Sequence, residues 1–124
     1  MPRILIIDDE QSVRHVVRTI LEQAGHTVLE APDGRRGMAL WRKESADVVV
    51  TDIFMSDKDG FEVILEIKNA ATKPKIIAIS GGGQSGLSDL IPTALLLGAD
   101  RMLLKPFDRQ TLLTTVEEVL NVRA

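Results

Sequence analysis

The chain contains no cysteine, which removes disulfides, thiolate metal sites and a cysteine nucleophile together and is compatible with a reducing compartment. It also lacks an excess of either charge. The 15 Lys and Arg residues stand against 18 Asp and Glu, interspersed along the chain, for a net charge of -3. No basic stripe of the kind that grips nucleic-acid phosphates or anionic lipid results. No apolar stretch approaches the roughly 20 residues that a membrane-spanning helix needs, and Met1-Pro2-Arg3-Ile4 leads straight into a short apolar run with no signal-peptide core. Direct nucleic-acid binding and membrane insertion are therefore not expected, and the cytoplasm is the expected location. No repeat, low-complexity tract or linker divides the 124 residues, and a hydrophobic share of 44% with 27% charged is that of a globular chain. Residues 1–124 read as a single domain, with no output domain expected beyond the last helix.

Hydrophobic patterning alternates between two periods. Ile4-Leu5-Ile6-Ile7, Val48-Val49-Val50 and Ile76-Ile77-Ala78-Ile79 are short, uninterrupted apolar runs rich in β-branched residues, the pattern of strands covered on both faces in a parallel sheet. Thr27 to Glu30 and Met102 to Leu104 are shorter or less β-branched and read as the outer strands. Between them, Val13, Val16, Val17, Ile20, Leu21 and Ala24 fall at helical spacing, and Gly25 stands where a helix-ending glycine belongs. Asp33 and Asp59 can cap a second and a third helix, bearing Met38, Leu40 and Trp41, and Val63, Ile64 and Ile67. Leu87 to Leu95 reads as a fourth helix ending near Gly98, and Asp108 opens a fifth bearing Leu112, Leu113, Val116, Val119 and Leu120. The fold class is α/β: a (βα)5, flavodoxin-like, doubly wound five-stranded parallel sheet with strand order 2-1-3-4-5.

In such a sheet, ligands bind outside the carboxyl ends of the strands. Asp8 and Asp9 follow the first strand, Asp52 the third, Ser80 the fourth and Lys105 the fifth. The expected order sets the first and third strands side by side, which gathers three carboxylates. Like charges in one site raise each other's pKa, so the cluster requires a compensating cation. Oxygen ligands with no His or Cys suit a hard ion, and Mg²⁺ typically takes one or two carboxylates, waters and phosphate oxygens. Lys105 supplies a second positive charge, and Ser80 can donate a hydrogen bond. A nucleophilic carboxylate, a metal and a lysine are the parts that phosphoryl transfer uses. Taken singly, each has a plainer reading: a loop or helix cap for Asp8-Asp9, a solvated lysine, a turn serine. Their conjunction carries the argument.

As an ordered set, Asp8-Asp9, Asp52 with Asp59-Gly60 downstream, Ser80 and Lys105-Pro106-Phe107 resemble the response regulator receiver family over essentially the whole chain. The resemblance implies that Asp52 accepts a phosphoryl group from a histidine kinase or a histidine phosphotransfer protein. It implies that Asp9, Asp52 and the backbone carbonyl of Phe54 bind Mg²⁺, with Asp8 assisting through water. Lys105 would contact the phosphoryl group and Ser80 would move towards it on activation. A cis peptide at Lys105-Pro106 is implied too, as are signalling to a downstream protein through the face of the fourth helix, fifth strand and fifth helix, and a phosphorylation-dependent homodimer.

Three features depart from the family pattern. Ser56 follows Met55 where proline is common, and Met102 occupies the place of the aromatic residue three positions before the lysine. The segment from Ser80 to Lys105 is also a few residues long, with the excess in Gly81 to Gly86. Gly81, Gly83 and Gly86 formally satisfy G-x-G-x-x-G, but after the fourth strand and with no acidic residue ending the following strand to hold a ribose. Leu87 takes the lysine position of a near Walker A match over Gly81 to Ser88. A loop near the site is the reading adopted. His15 and His26 read as exposed, Trp41 as a packing residue, and the apolar Ala94-Leu95-Leu96-Leu97 as either a buried face or a partner surface. The alternative functions are an Mg²⁺-dependent phosphohydrolase with Asp52 as nucleophile, disfavoured because Asp8-Asp9-Glu10 lacks a D-x-D spacing, and a non-phosphorylated interaction module. The residues point to no enzyme beyond self-phosphorylation and autodephosphorylation.

Overall fold

The computed structural model describes residues 2–53, 60–70, 74–81 and 98–121, with the side chain of Phe61 left aside. The described elements are β1 (Arg3–Ile7), α1 (Gln11–Gln23), β2 (Thr27–Ala31), α2 (Gly34–Glu44), β3 (Val48–Asp52), α3 (Gly60–Lys68), β4 (Lys75–Gly81), β5 (Arg101–Lys105) and α4 (Arg109–Asn121). The five strands form one sheet in the order β2-β1-β3-β4-β5, every pair parallel. This is the topology expected from the sequence, with β2 and β5 at the edges. Helix α4 is the fifth helix of the sequence reading. The fourth, around Leu87 to Leu97, lies outside the described residues, as do Phe54, Ser56, Asp59 and Gly82 to Gly86.

Strand residues alternate between two cores because side chains on a strand point to opposite faces in turn. Ile4 and Ile6, Val48 and Val50, and Ile77 and Ile79 pack with Val17 and Leu21 of α1 and with Leu112, Val116 and Val119 of α4. Leu5 and Ile7, Val49, and Ile76 and Ala78 pack on the other face with Met38 and Trp41 of α2 and Val63, Ile64 and Ile67 of α3. Both faces are thus covered, and Trp41 is a packing residue. The apolar stripe of α1 is narrower than its sequence spacing implies: Val17 and Leu21 are buried, Val13 and Ile20 partly so, and Val16 is 54% exposed.

Caps fix where the helices begin. Asp33 accepts a hydrogen bond from the backbone N–H of Arg36 at 2.8 Å, and Asp108 accepts one from Thr111 at 2.7 Å, as N-cap aspartates do. Gly25 ends α1 with a φ of 96°. Two other acids close the sheet edge opposite the carboxyl ends. Asp47 exchanges hydrogen bonds with the backbone of Arg3, and Asp100 does the same with Ile76. His26 is half-buried instead of exposed, and its backbone N–H donates to the Leu21 carbonyl in the tight turn between α1 and β2.

Gly60 opens α3 directly over the end of β3, its N–H donating to the Ile53 carbonyl at 2.8 Å. A β-carbon there would lie 2.4 Å from the Asp52 carbonyl oxygen and 2.5 Å from Ile53 Cα, and neither backbone atom can move without moving the strand end. Helix propensity alone would favour Gly60→Ala by about 1 kcal/mol. The overlap reverses that sign, so the variant is expected to lose about 1–3 kcal/mol, read as a lower urea midpoint at unchanged slope. A gain in stability would show that the contact relaxes.

Candidate functional site

Three strands deliver polar side chains to the same place for one geometric reason. Residues two apart on a strand share a face, so Asp8 continues the row of Ile4 and Ile6, Asp52 that of Val48 and Val50, and Lys105 that of Leu103, all on the face covered by α1 and α4. The register aligns the ends: Ile7 pairs with Thr51, and Asp8 and Asp52 each stand one residue beyond that pair. Lys105 pairs with Gly81 at the far side, and its long side chain spans the gap.

Lys105 Nζ lies 3.0 Å from Asp8 Oδ2, 3.0 Å from Asp52 Oδ2 and 3.0 Å from Glu10 Oε1. Asp8 is fully buried and Asp52 is 5% exposed, whereas Asp9 and Glu10 are exposed at the rim. The Lys105–Pro106 peptide is cis, as the resemblance implies. Ligand oxygens of Asp8, Asp9, Glu10 and Asp52 all lie within 4.8 Å of one another, and three of these four carboxylates contact the Lys105 ammonium. Glu10 was not singled out from the sequence, although its place in the Asp8-Asp9-Glu10 run was the available signal.

The electrostatics follow from burial against charge. Burial alone would lower the Lys105 pKa, but the Glu10, Asp52 and Asp8 carboxylates against its ammonium outweigh it and raise the value, so the ammonium is held charged. Asp8 moves the other way from an ordinary carboxyl: burial raises its pKa and the nearby Asp52 adds to the rise, against the backbone N–H of Glu10 and Lys105, which lower it. Asp8 Oδ1 accepts that N–H at 2.9 Å. Its Oδ2, although 3.0 Å from Lys105, accepts no well-aligned hydrogen bond from the described residues.

These residues fit a small hard cation. All the donors are oxygens, and a buried carboxylate oxygen is left without an aligned donor. An ion bound at about 2.1 Å sets opposite ligands about 4.2 Å apart, close to the 4.8 Å spread observed. Ser80 is placed at the same edge, 1% exposed, in register with Leu104. It continues the row of Ile76 and Ala78, which faces α2 and α3, and its Oγ has no hydrogen-bond partner among the described residues. The structure therefore unites Asp8, Asp9, Asp52 and Lys105 and keeps Ser80 beside them without a bond to them. Phe54 lies outside the described residues. Met102 is half-buried against the α2 and α3 core.

A doubly wound sheet carrying a carboxylate cluster and a lysine at its carboxyl edge defines a class of single-sheet α/β module in which the strand ends form the working surface. The model of the response regulator receiver domain matches residues 4–117, and the chain belongs to that family. It is a receiver domain of the two-component response regulators, a signalling domain. It is 40% identical over 118 residues to a probable transcriptional regulator, ycf27, of Galdieria sulphuraria, covering 95% of this chain and 45% of that protein. The chain thus spans under half the length of that relative. It is 37% identical to the protein PilH of Pseudomonas aeruginosa, covering 97% and 98% of the two chains. The receiver domain of NtrX from Brucella abortus superposes with a TM-score of 0.88 at 30% identity, covering 97% and 99%. Among the described residues no helix is long and apolar enough to cross a membrane.

Asp8 also links the site to stability. Its folded-state pKa is raised, so the folded protein binds its proton more tightly than the unfolded chain does, and ionised Asp8 opposes folding once the pH exceeds the raised value. Without metal, Asp8→Asn is expected to be more stable than the native chain at pH 7, by about 1 kcal/mol. The gain should vanish as the pH falls below the ordinary aspartate pKa of about 3.9. Denaturant titrations in EDTA at pH 7 and pH 3 check this; equal stability of the two proteins at pH 7 would contradict it.

Proposed function

We propose that Asp52 is the phospho-acceptor of this receiver domain, taking the phosphoryl group of a phosphohistidine on a histidine kinase or histidine phosphotransfer protein. The observation that carries the reading is the convergence of Lys105 on Asp52 and Asp8 at 3.0 Å, with both carboxylates buried at the ends of central strands. An Asp52 carboxylate oxygen attacks phosphorus, the P–N bond to the donor imidazole breaks, and the imidazole leaves with the bonding pair and takes up a proton. The product is an acyl phosphate on Asp52, later opened by water. Mg²⁺, held by Asp8, Asp9 and Asp52 with Glu10 at the rim and the Phe54 carbonyl as a further ligand, would neutralise the phosphoryl oxygens.

Lys105 then has a different task before and after transfer. Before, its ammonium offsets the carboxylates that would otherwise repel one another and the incoming anion. After, it exchanges Asp8 and Glu10 for a phosphoryl oxygen, which makes it a charge-based clamp on the product state. Ser80, buried beside the site with a hydroxyl that has no partner among the described residues, is the donor that can turn to the same group. The face of the fourth helix, β5 and α4, which is the fifth helix of the sequence, is the surface through which the change reaches a downstream protein, with Leu104 of β5 at 46% exposure and pairing of two phosphorylated copies as one form of output. Met102 replaces an aromatic switch there, so the readout does not run through an aromatic rotamer. With a net charge of -3, the domain acts on proteins in the cytoplasm and not directly on nucleic acid.

Incubation with acetyl phosphate and Mg²⁺, followed by intact mass, tests the reading. The native chain is expected to gain one phosphoryl group of about 80 Da and Asp52→Ala to gain none. No gain in the native chain, or an equal gain in the variant, would overturn it.

A further inference from the structure

The turn that carries Asp8, Asp9 and Glu10 is closed by the Glu10 N–H donating to Asp8 Oδ1, but the helix that follows it has no side-chain cap. Helix α1 begins at Gln11, and its N-cap residue, Glu10, makes no side-chain capping bond. Sequence preference places Ser, Thr, Asp or Asn at that position, so the turn lacks the support a cap would add and draws on contacts from outside it. The backbone of Asp8 makes them. Its N–H donates to the Ala31 carbonyl at the end of β2 at 3.2 Å, and its carbonyl accepts a hydrogen bond from Arg14 Nη1 at 2.8 Å.

Arg14 is itself fixed. Its Nε donates to Glu30 Oε1 on β2 at 3.1 Å, and its side chain is only 13% exposed. Glu30 is held in turn by Arg18, one turn further along α1, whose Nη1 donates to Oε2 at 2.9 Å. The Arg18 guanidinium, joined by Arg14, keeps the Glu30 carboxyl below the usual carboxylate range against the opposing effect of burial. A planar guanidinium with several donors in fixed directions can bridge a carbonyl and a carboxylate at once. Arg14 therefore ties three pieces of chain together: the first turn of α1, the end of β2 and the residue that buries its carboxylate in the site.

We infer that Arg14, clamped by Glu30, is the positioning residue of the acidic cluster, setting the turn from Asp8 to Glu10 so that its carboxylates converge with Asp52. This rests on the proposed phospho-acceptor reading. Arg14 touches neither the metal nor the phosphoryl group in this account; it acts through the Asp8 carbonyl. Arg18 reaches Glu30 and Glu22 but not Asp8, which makes Arg18→Gln the control for loss of an ion pair alone.

The test compares Arg14→Gln, Glu30→Gln and Arg18→Gln with the native chain by two readouts besides phosphorylation. The first is the Mg²⁺ dissociation constant, measured by calorimetry on the unphosphorylated protein. Arg14→Gln is expected to weaken binding by about tenfold, the scale found when a group orienting a metal ligand is removed, Glu30→Gln by less, and Arg18→Gln hardly at all. The second is amide exchange in metal-free protein at Glu10, whose N–H is bonded to Asp8 Oδ1. Its protection should fall about tenfold in Arg14→Gln and stay unchanged in Arg18→Gln. Equal Mg²⁺ affinity and equal Glu10 protection in Arg14→Gln and the native chain would overturn the inference alone. A native chain that binds no Mg²⁺ would overturn the phospho-acceptor reading with it. Should Arg14→Gln fail to fold, Glu30→Gln decides: a rise in Glu10 exchange beyond that of Arg18→Gln supports the role, and its absence refutes it.

Discussion

The contact between one ammonium and the buried carboxylates of Asp8 and Asp52 is the constraint around which the carboxyl edge of the sheet is arranged. Two aspartates at the ends of adjacent strands cannot both remain ionised in a dry pocket without a nearby cation. Lys105 provides it from the far edge of the sheet, three strands away from β1 in the order of pairing. That requirement explains why burial does not release the lysine proton, and why Asp8, fully buried with its second oxygen lacking a hydrogen bond from the described residues, has its carboxyl pKa raised. A site held together in this way is primed for an exchange of partners. A metal ion and a phosphoryl group bring the charges that would let Lys105 leave Asp8 and Glu10.

The rest of the molecule is organised to make that contact possible. The rows that end in Asp8, Asp52 and Lys105 begin in the core beneath α1 and α4, so the same alternation that buries Ile6, Val50 and Leu103 delivers the three polar groups to one face. Ser80 ends a row on the opposite face, which accounts for its position beside the cluster without a bond to it. Gly60 lets α3 start against the backbone of Asp52 and Ile53, so the strand end is supported where a side chain would push it away. On the other side, Arg14 and Glu30 hold the turn after β1. The acceptor candidate thus sits between two supports, one built from a missing side chain and one from a guanidinium.

Much of this was legible in the sequence, because both of its signals are physical and local. Uninterrupted β-branched runs and a helical period between them left little choice but a parallel sheet, and the order of the strands brought Asp8, Asp9, Asp52 and Lys105 to one edge. Glu10 was not picked out because a third acid after Asp8-Asp9 reads equally well as a polar helix start, and only the reach of Lys105 reveals its part. The exposure of Val16 escaped the spacing argument since helical period counts apolar residues without knowing how wide a stripe the sheet can cover. His26 reads as a surface residue because Gly25 marks the end of α1 without showing how far the turn folds His26 back towards Leu21. Asp47 and Asp100 show the converse: acids that look like candidates in a list of carboxylates are absorbed in backbone bonds at the opposite edge of the sheet.

The partner exchange at Lys105 is the centre of the account, and it is open to direct observation. A crystal structure of the protein with Mg²⁺ and beryllium fluoride, which mimics an acyl phosphate on a carboxylate, would place every group at once. The account predicts the fluoride adduct on Asp52, Lys105 Nζ within hydrogen-bonding distance of a fluorine and withdrawn from Asp8 and Glu10, and the metal among the Asp8, Asp9 and Asp52 oxygens. An adduct-free Asp52, or a Lys105 still held by Asp8 and Glu10 beside an adduct, would contradict it.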